Sequence, residues 1–451
     1  MHSDVEMLDS KTNPPKRPPT ASRMARAKRK RQEEHDLPAL ERLEAHLRRD
    51  RTTRMGLSFF EHFHDVHLKD LVLDSMDDHR RMTHGGHTLW NFGSDSFLGL
   101  DRHPAVQQAM IDAVKPWGTH NGASRAFSSV RLCEEAERRL AAWLGVEDTF
   151  ISPSVTLANA GLIPAVVRPD DLLVVDRQSH DSIQQAAKVA AANGARLREL
   201  HPCHPARLEE LLAGEGEFPS AVVAMDGVYS MTGRIPPLAE LDRVTRSHGG
   251  VLYVDDAHGT GVVGPGGRGA AFQSLGSLRE VLMVGSLSKA FSCMGAFVTC
   301  SFDLKKVLKL RTSTFIFGGP VPPPYLAAVV AVCDILESPE YEQILGRLHA
   351  RMRQLTDGLR ALGLSVLGGE APIISVPIGD IERTLEAGKW VFDRGYYVQS
   401  ATYPAVPING GVLRIQVNAN HTVEAVDGLL GVLEDLKKDF QLATSGNGCA
   451  A

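Results

Sequence analysis

The sequence has few cysteines and lacks any long apolar run. Only six cysteines occur in 451 residues, at irregular spacings, so we predict no disulfide framework and expect a reducing compartment, the cytoplasm. No hydrophobic leader opens the sequence, and no run of about 18 apolar residues is present. These absences argue against secretion and against a transmembrane helix.

An excess of one charge is also missing. The net charge is −5 and the hydrophobic fraction is 43%, as in an ordinary globular protein, so neither value indicates a nucleic-acid or membrane partner. No internal repeat is visible. The length favours a large domain with a smaller one attached.

The first part of the sequence has its own composition. Residues 1–38 are rich in proline and charge, with the basic run Lys28-Arg-Lys-Arg31, which indicates a mobile, solvated tail; a nucleic-acid or localisation patch is the alternative. Leucines at helical spacing predict an amphipathic helix over residues 37–51. Residues 59–73 are expected to be irregular. We expect their histidines, at 62, 64 and 67, to cover the core; a metal site is the alternative.

From residue 103 the pattern alternates between helix and strand. Helices are predicted over residues 104–114, 132–144 and 325–337. Short strands that are apolar on both faces are predicted at 172–175, 221–224, 251–254 and 281–284. Buried strands separated by helices predict an α/β fold with a mostly parallel sheet and helices on both sides.

The predicted domain organisation follows from these patterns. Its parts are a disordered basic tail (1–38), an N-terminal helix and covering segment (39–102), a large domain (103–340), a small α/β domain (341–440) and a disordered tail (441–451).

Two strand ends carry residues suited to cofactor chemistry. The strand at 281–284 runs into Ser286-Leu-Ser-Lys289, and the strand at 251–254 runs into Asp255-Asp-Ala-His258. Open α/β sheets bind ligands at the carboxyl ends of their strands. A lysine that can form a Schiff base, with an aspartate available to a ring nitrogen, is what pyridoxal phosphate chemistry needs.

Six motifs then occur in an order that resembles the α-oxoamine synthases. This family of fold-type I pyridoxal-phosphate enzymes includes aminooxononanoate synthase, 5-aminolevulinate synthase, 2-amino-3-ketobutyrate ligase and serine palmitoyltransferase. The motifs are Asn91-Phe-Gly-Ser-Asp-Ser-Phe-Leu-Gly-Leu100, Asp176-Arg-Gln-Ser-His180, Asp226-Gly-Val-Tyr-Ser-Met-Thr-Gly233, Asp255-Asp-Ala-His-Gly-Thr-Gly261, Ser286-Leu-Ser-Lys289 and Leu413-Arg-Ile-Gln-Val-Asn-Ala-Asn-His-Thr422.

The resemblance implies four residues around the ring of pyridoxal 5'-phosphate. Lys289 would hold the cofactor, and Asp255 would keep the ring nitrogen protonated so that the ring acts as an electron sink. His258 would donate to the ring phenolate oxygen. His180 would stack on the ring; the alternative for His180 is a surface histidine at a helix start.

The resemblance also implies contacts to the rest of the cofactor and to substrate. The phosphate would lie on Ser154-Val155-Thr156, at a helix N-terminus that suits an anion, and on Ser286 and Ser288. Asn159 would lie near the ring and Ser230 at the phenolate oxygen. Arg414 would bind the carboxylate of an amino acid, with a structural ion pair as the alternative, and Asp95 would lie beside the substrate.

Some positions depart from the family pattern. An acid, Asp95, stands where the family has a substrate-side asparagine. Gly318 and Gly319 replace hydroxyl residues expected to reach the neighbouring subunit, Asp226 replaces a glutamate, and Thr402 replaces the arginine of aminooxononanoate synthases. We expect these changes to affect the substrate rather than the cofactor.

The expected activity is that of a homodimeric α-oxoamine synthase. An amino acid would condense with an acyl thioester, from coenzyme A or an acyl-carrier protein, with release of carbon dioxide and thiol. A fold-type I aminotransferase is one alternative. A non-catalytic partner subunit is another, although Lys289, Asp255 and His258 occurring together argue against it.

Overall fold

The chain divides into two compact units, Met1–His64 and Asp65–Ala451. A computed structural model describes residues 37–63 and 71–442. The predicted tails at 1–38 and 441–451 therefore lie almost wholly outside the described residues, as do His64 and His67.

The first unit contains two helices, α1 (Ala39–Leu47) and α2 (Arg51–His62). Helix α1 confirms the helix predicted over residues 37–51. The irregular segment predicted from residue 59 is wrong as far as His62, which ends α2. Asp50 explains the error, because its carboxylate accepts a hydrogen bond from Thr53 N at 2.8 Å and begins a second helix.

The second unit begins with a small sheet and continues as a large α/β layer. Its elements up to residue 300 are β1 (Ser75–Met76), β2 (Arg81–His84), β3 (His87–Asn91), α3 (Pro104–Trp117), α4 (Arg131–Leu144), β4 (Asp148–Ser152), α5 (Val155–Val166), β5 (Leu172–Asp176), α6 (Asp181–Ala192), β6 (Arg196–Leu200), α7 (Pro205–Gly214), β7 (Ala221–Asp226), α8 (Leu238–Ser247), β8 (Val251–Asp255), α9 (Ala270–Leu275), β9 (Leu282–Ser286) and β10 (Ala296–Cys300).

Helices and a second main sheet complete the unit. These elements are α10 (Phe302–Arg311), α11 (Ser313–Phe317), α12 (Pro323–Leu336), α13 (Pro339–Ala361), β11 (Leu367–Gly368), β12 (Ile373–Gly379), α14 (Ile381–Phe392), β13 (Tyr396–Tyr397), β14 (Gln399–Ala401), β15 (Gly411–Gln416) and α15 (Val423–Asp439). No helix in the described part of the chain is both long enough and apolar enough to cross a membrane.

The central sheet has seven strands in the order β4-β10-β9-β8-β7-β5-β6. All neighbours from β9 to β6 are parallel, and β10 runs antiparallel to both of its neighbours. Alternate residues of β5 enter opposite apolar clusters, Leu172 and Val174 on one face, Leu173 and Val175 on the other. Both faces are buried, which confirms the predicted α/β fold.

The four predicted strands are β5, β7, β8 and β9, and the predicted helices are α3, α4 and α12. Strands β4, β6 and β10 were not predicted. Strand β6 forms the edge of the sheet and contains three charged residues among five, so it lacks the continuous apolar run that marks the inner strands.

The smaller sheets position residues far apart in sequence. Strands β11-β12-β15-β14 form an antiparallel sheet in which β15, with Arg414, is an inner strand. Strand β13 pairs in parallel with β3, Tyr396 opposite Trp90, so the segment before the central sheet joins a strand from near the C-terminus. The domain limits predicted at residues 102, 340 and 440 stay predictions.

Candidate active site

Lys289 lies just beyond β9, after Leu287 and Ser288. Its Nζ is 2.7 Å from Nε2 of His258. Burial lowers the pKa of Lys289, an effect that nearby Asp95 and Asp255 only partly oppose. A larger share of the neutral amine, which is the nucleophilic form, is therefore present than on an exposed lysine.

His258 follows β8 and is 7% exposed. Burial, and then the charge of Lys289, lower its pKa well below the usual value, so the imidazole is neutral. Because Nε2 faces the Lys289 amino group, whose N–H can donate to it, we assign the ring proton of His258 to Nδ1. That nitrogen has no hydrogen-bond partner in the described structure and lies 3.9 Å from Oδ1 of Asp95.

Hydrogen bonds from Asn159 and Ala257 hold the Asp255 carboxylate in one orientation. Its Oδ2 accepts a hydrogen bond from Asn159 Nδ2 at 2.7 Å, and its Oδ1 accepts from Ala257 N at 3.1 Å. The Oδ1 of Asn159 accepts in turn from Tyr253 OH at 2.7 Å, and Nδ2 also donates to Ser182 Oγ at 2.9 Å. Asn159 is fully buried and orients the Asp255 carboxylate, a contact that the sequence did not indicate.

Asp226, which the sequence marked only as a departure from the family glutamate, also lines the cavity. It ends β7 directly opposite Asp255 at the end of β8, and its Oδ1 accepts from His180 N at 3.0 Å. Burial, and then the charge of Asp255, raise the pKa of Asp226 well above the usual value. The available signal was its place at the carboxyl end of an apolar strand, which it shares with Asp255.

His180 lies at a helix start, as the alternative interpretation expected, and it also lines the cavity; its stacking on the cofactor ring stays a prediction. It is the N-cap residue of α6, where its Nδ1 accepts from Ser182 N at 3.2 Å and contacts Ser182 Oγ at 2.7 Å. Its ring also borders the same cavity as Lys289. The cap therefore fixes the ring of a residue that faces the site.

A cavity of about 200 Å³ lies between these side chains. Ten of the residues predicted from sequence line it: Ser154, Val155, Thr156, His180, Ser230, Asp255, His258, Ser286, Ser288 and Lys289. Asp226, Val228 and Ala257 complete the lining, whereas Asn159, Asp95 and Arg414 do not belong to it.

Hydroxyl groups and a helix N-terminus gather on one side of the cavity. Ser154 is the N-cap residue of α5, and its Oγ accepts from Leu157 N at 3.1 Å. The hydroxyls of Ser286 and Ser288 lie 3.0 Å apart. Free helix N–H groups and hydroxyls favour an anion, so this side suits a phosphate.

Arg414 is 3% exposed. Asp95 is close to both Arg414 and His258. Its Nε donates to Ser230 O at 2.5 Å, its Nη1 to Gln399 Oε1 at 2.6 Å and its Nη2 to Asp95 Oδ1 at 3.1 Å. Each guanidinium nitrogen therefore already donates to an acceptor of this chain. The ion pair weighed as the alternative for Arg414 is present, with Asp95 as the partner.

Two glutamines of this cluster were missed. Gln416 Nε2 donates to Oδ1 of Asp95, and Gln399 stands opposite Arg414 in the pairing of β14 with β15. Gln416 could have been found, because residues two apart on a strand share a face. Gln399 carries no sequence signal, since its position depends on strand pairing.

The lining residues fit pyridoxal phosphate on structural grounds. The cavity joins a nucleophilic amine, a fixed carboxylate, a neutral buried imidazole with an unpaired Nδ1, and an anion-binding side. No group of three or more His, Cys, Asp or Glu side chains within residues 37–63 and 71–442 is arranged to hold a metal ion.

Comparison with known proteins finds relatives over most of the chain. Residues 88–433 match the family model described as aminotransferase class I and II. A serine palmitoyltransferase of Bacteriovorax stolpii is 33% identical over 78% of this chain and 83% of its own. An 8-amino-7-oxononanoate synthase of Geobacter sulfurreducens is 34% identical over 77% of this chain and 88% of its own.

The chain belongs to the α-oxoamine synthase family. A solved structure of Sphingomonas wittichii serine palmitoyltransferase superposes on this α-oxoamine synthase with a TM-score of 0.81 and 25% identity, covering 87% of this chain and 98% of that one. The α-oxoamine synthase is accordingly a fold-type I enzyme, and its cofactor is pyridoxal 5'-phosphate.

Proposed function

We propose that this α-oxoamine synthase condenses an α-amino acid with an acyl thioester, releasing carbon dioxide, free thiol and an α-amino ketone. The observation that carries the proposal is the 2.7 Å contact between Lys289 Nζ and His258 Nε2 in a cavity that also presents Asp255. Its relatives named serine palmitoyltransferase and 8-amino-7-oxononanoate synthase support an acyl-transfer reaction over a non-catalytic role.

Bound pyridoxal phosphate supplies an electron sink for the negative charge that develops at the amino-acid α-carbon. Asp255, fixed by Asn159, would keep the ring nitrogen protonated. Ser154, Val155, Thr156, Ser286 and Ser288 would hold the phosphate, and His180 would cover the ring.

Lys289 and His258 are the residues that would transfer protons in this site. Lys289 with a lowered pKa can accept a proton and return it, and its Nζ is within hydrogen-bond reach of His258. His258, kept neutral by burial, would direct its Nδ1–H toward the cofactor or substrate, and Ser230 would add a hydroxyl there.

We further propose a cytoplasmic homodimer with the active sites at the subunit interface. Phe127 and Phe317 are each 86% exposed, and Ser124 Oγ donates to Ile316 O at 2.6 Å, which joins the two segments that carry them. Exposed aromatic side chains on adjoining segments favour a protein contact. Sedimentation of Phe317→Asp should show a smaller species than the wild type; an unchanged species would contradict this.

A thiol-release assay tests the reaction. The purified enzyme, loaded with cofactor, is given a panel of amino acids against acyl-coenzyme A and acyl-carrier-protein thioesters of increasing chain length. We expect thiol and carbon dioxide in equal amounts, dependent on both substrates. Formation of a keto acid from the amino acid without thiol release would instead indicate the aminotransferase alternative.

A further inference from the structure

Asp95 lies where the substrate carboxylate is expected. Its Oδ1 accepts hydrogen bonds from Arg414 Nη2 at 3.1 Å and from Gln416 Nε2. The same oxygen is 3.9 Å from Nδ1 of His258. Asp95 therefore links Arg414 to the residues that surround Lys289.

Each nitrogen of the Arg414 guanidinium donates a hydrogen bond within this chain. Besides Asp95 it contacts Ser230 O at 2.5 Å and Gln399 Oε1 at 2.6 Å. A carboxylate that binds Arg414 in bidentate fashion takes two parallel N–H groups from neighbouring nitrogens. Three of the five guanidinium N–H groups donate to this chain, and either pair includes Nη2, where Asp95 already accepts, so a second carboxylate has to share that side of the guanidinium with Asp95 or displace it.

Of the three acceptors that Arg414 contacts, only Asp95 carries a negative charge. Arg414 is buried, with 3% of its side chain exposed, while 31% of the Asp95 side chain is exposed. A buried guanidinium needs a compensating anion, and Asp95 provides it. A second carboxylate at the same cation adds repulsion between like charges, so two carboxylates compete for one Arg414.

We propose that Asp95 is a specificity-determining residue that acts as an internal competitor for the carboxylate of the amino-acid substrate. The inference rests on the proposed function, since it assumes an amino-acid site at Arg414. Asp95 weakens binding of ligands with a free α-carboxylate and leaves binding of the corresponding carboxamides nearly unchanged. The site thus distinguishes poorly between a carboxylate and a neutral group on the α-carbon.

The test uses paired ligands with the full-length, cofactor-loaded enzyme. Glycine, L-alanine and L-serine are each titrated beside their carboxamides, with the change in cofactor absorbance and calorimetry as readouts. In the wild type we expect each carboxylate to bind within about tenfold of its carboxamide. In Asp95→Asn the carboxylates should bind at least tenfold more tightly than in the wild type, and the carboxamides should change less than threefold.

Asp95→Glu is the matched control, because it keeps the negative charge and should keep the wild-type ratio. Equal carboxylate affinity in Asp95→Asn and the wild type would overturn the inference, even if thiol release proceeds normally and supports the proposed function. Should Asp95→Asn fail to fold, the wild-type ratio decides: a preference for the carboxylate above about tenfold would by itself overturn the inference. Absence of amino-acid binding to both proteins would overturn the inference and the proposed function together.

Discussion

Lys289 Nζ and His258 Nε2 lie 2.7 Å apart although 31 residues separate them in sequence. The contact forms because β8 and β9 are parallel neighbours, so the turns that follow them leave the sheet at the same edge. It places a lysine with a lowered pKa beside a neutral imidazole.

Lys289→Ala should abolish covalent attachment of the cofactor and leave the fold intact, because the side chain borders a cavity rather than the apolar core. Borohydride reduction followed by peptide mass spectrometry measures the attachment. Lys306→Ala, on the exposed surface of α10, is the control and should keep it. Cofactor mass found on a peptide of Lys289→Ala would show that another lysine is used.

Asp255→Asn should bind cofactor but lose at least about 100-fold in turnover, or roughly 2.8 kcal/mol of transition-state stabilisation at about 1.4 kcal/mol per tenfold. The amide cannot hold a proton on the ring nitrogen, and it also meets the donor of Asn159, now 2.7 Å from Oδ2. Steady-state thiol release, with cofactor content measured in parallel, separates rate from binding. Wild-type turnover in this variant would refute the role of Asp255.

Asp256 should make the enzyme less stable as pH rises. Burial raises the pKa of Asp256 to about 7 from an ordinary value of 3.8, so the folded state binds this proton more tightly than the unfolded state. The free energy of unfolding then falls as pH rises between about 4 and 7, and the loss is complete above that range.

Asp256→Asn should flatten this pH dependence by up to about 1.4 kcal/mol per pH unit, the share of one proton. Denaturant unfolding measured at intervals from pH 4 to 8 gives the slope. Asp357→Asn, an exposed residue on α13, is the control and should keep the wild-type slope. If both variants gave the same slope as the wild type, the protonation of Asp256 would not contribute to the pH dependence of the unfolding free energy.

Glu137→Ala should destabilise the fold by about 3–5 kcal/mol, the cost of leaving buried charges unpaired. Glu137 is 1% exposed and lies 2.7 Å from Arg125 and 2.8 Å from Lys305, both nearly buried. Its carboxylate also accepts from Ile151 N at 2.8 Å.

Glu135→Ala is the matched control for that substitution, because it removes an exposed partner of Arg138 on the same helix, α4. Its unfolding free energy should change by about 0.5 kcal/mol or less. Chemical denaturation of both variants measures the difference. Similar losses of unfolding free energy in the two variants would show that Glu137 does not stabilise the fold by pairing with the buried Arg125 and Lys305.

Local patterns in the sequence were enough to select ten residues that line one cavity. Apolar strands that end in Asp255 and in the Ser286–Lys289 turn reveal both the burial of the strand and the chemistry at its end, because each signal lies within a few residues. The motif order added the family, and the structure brings ten predicted residues around one cavity. Asn159 could be selected by sequence, but only the fold shows that it holds Asp255.

The cluster of Asp95 and Arg414 was decided by tertiary structure. Asp95 and Arg414 are 319 residues apart, and nothing in either segment specifies that the two charges pair. Their contact depends on the pairing of β14 with β15, which sets Gln399 opposite Arg414, and on the packing of the chain after β3 against that sheet. Periodicity determines which face of a strand is buried, whereas the partner of a buried charge is set by which distant segment packs on that face.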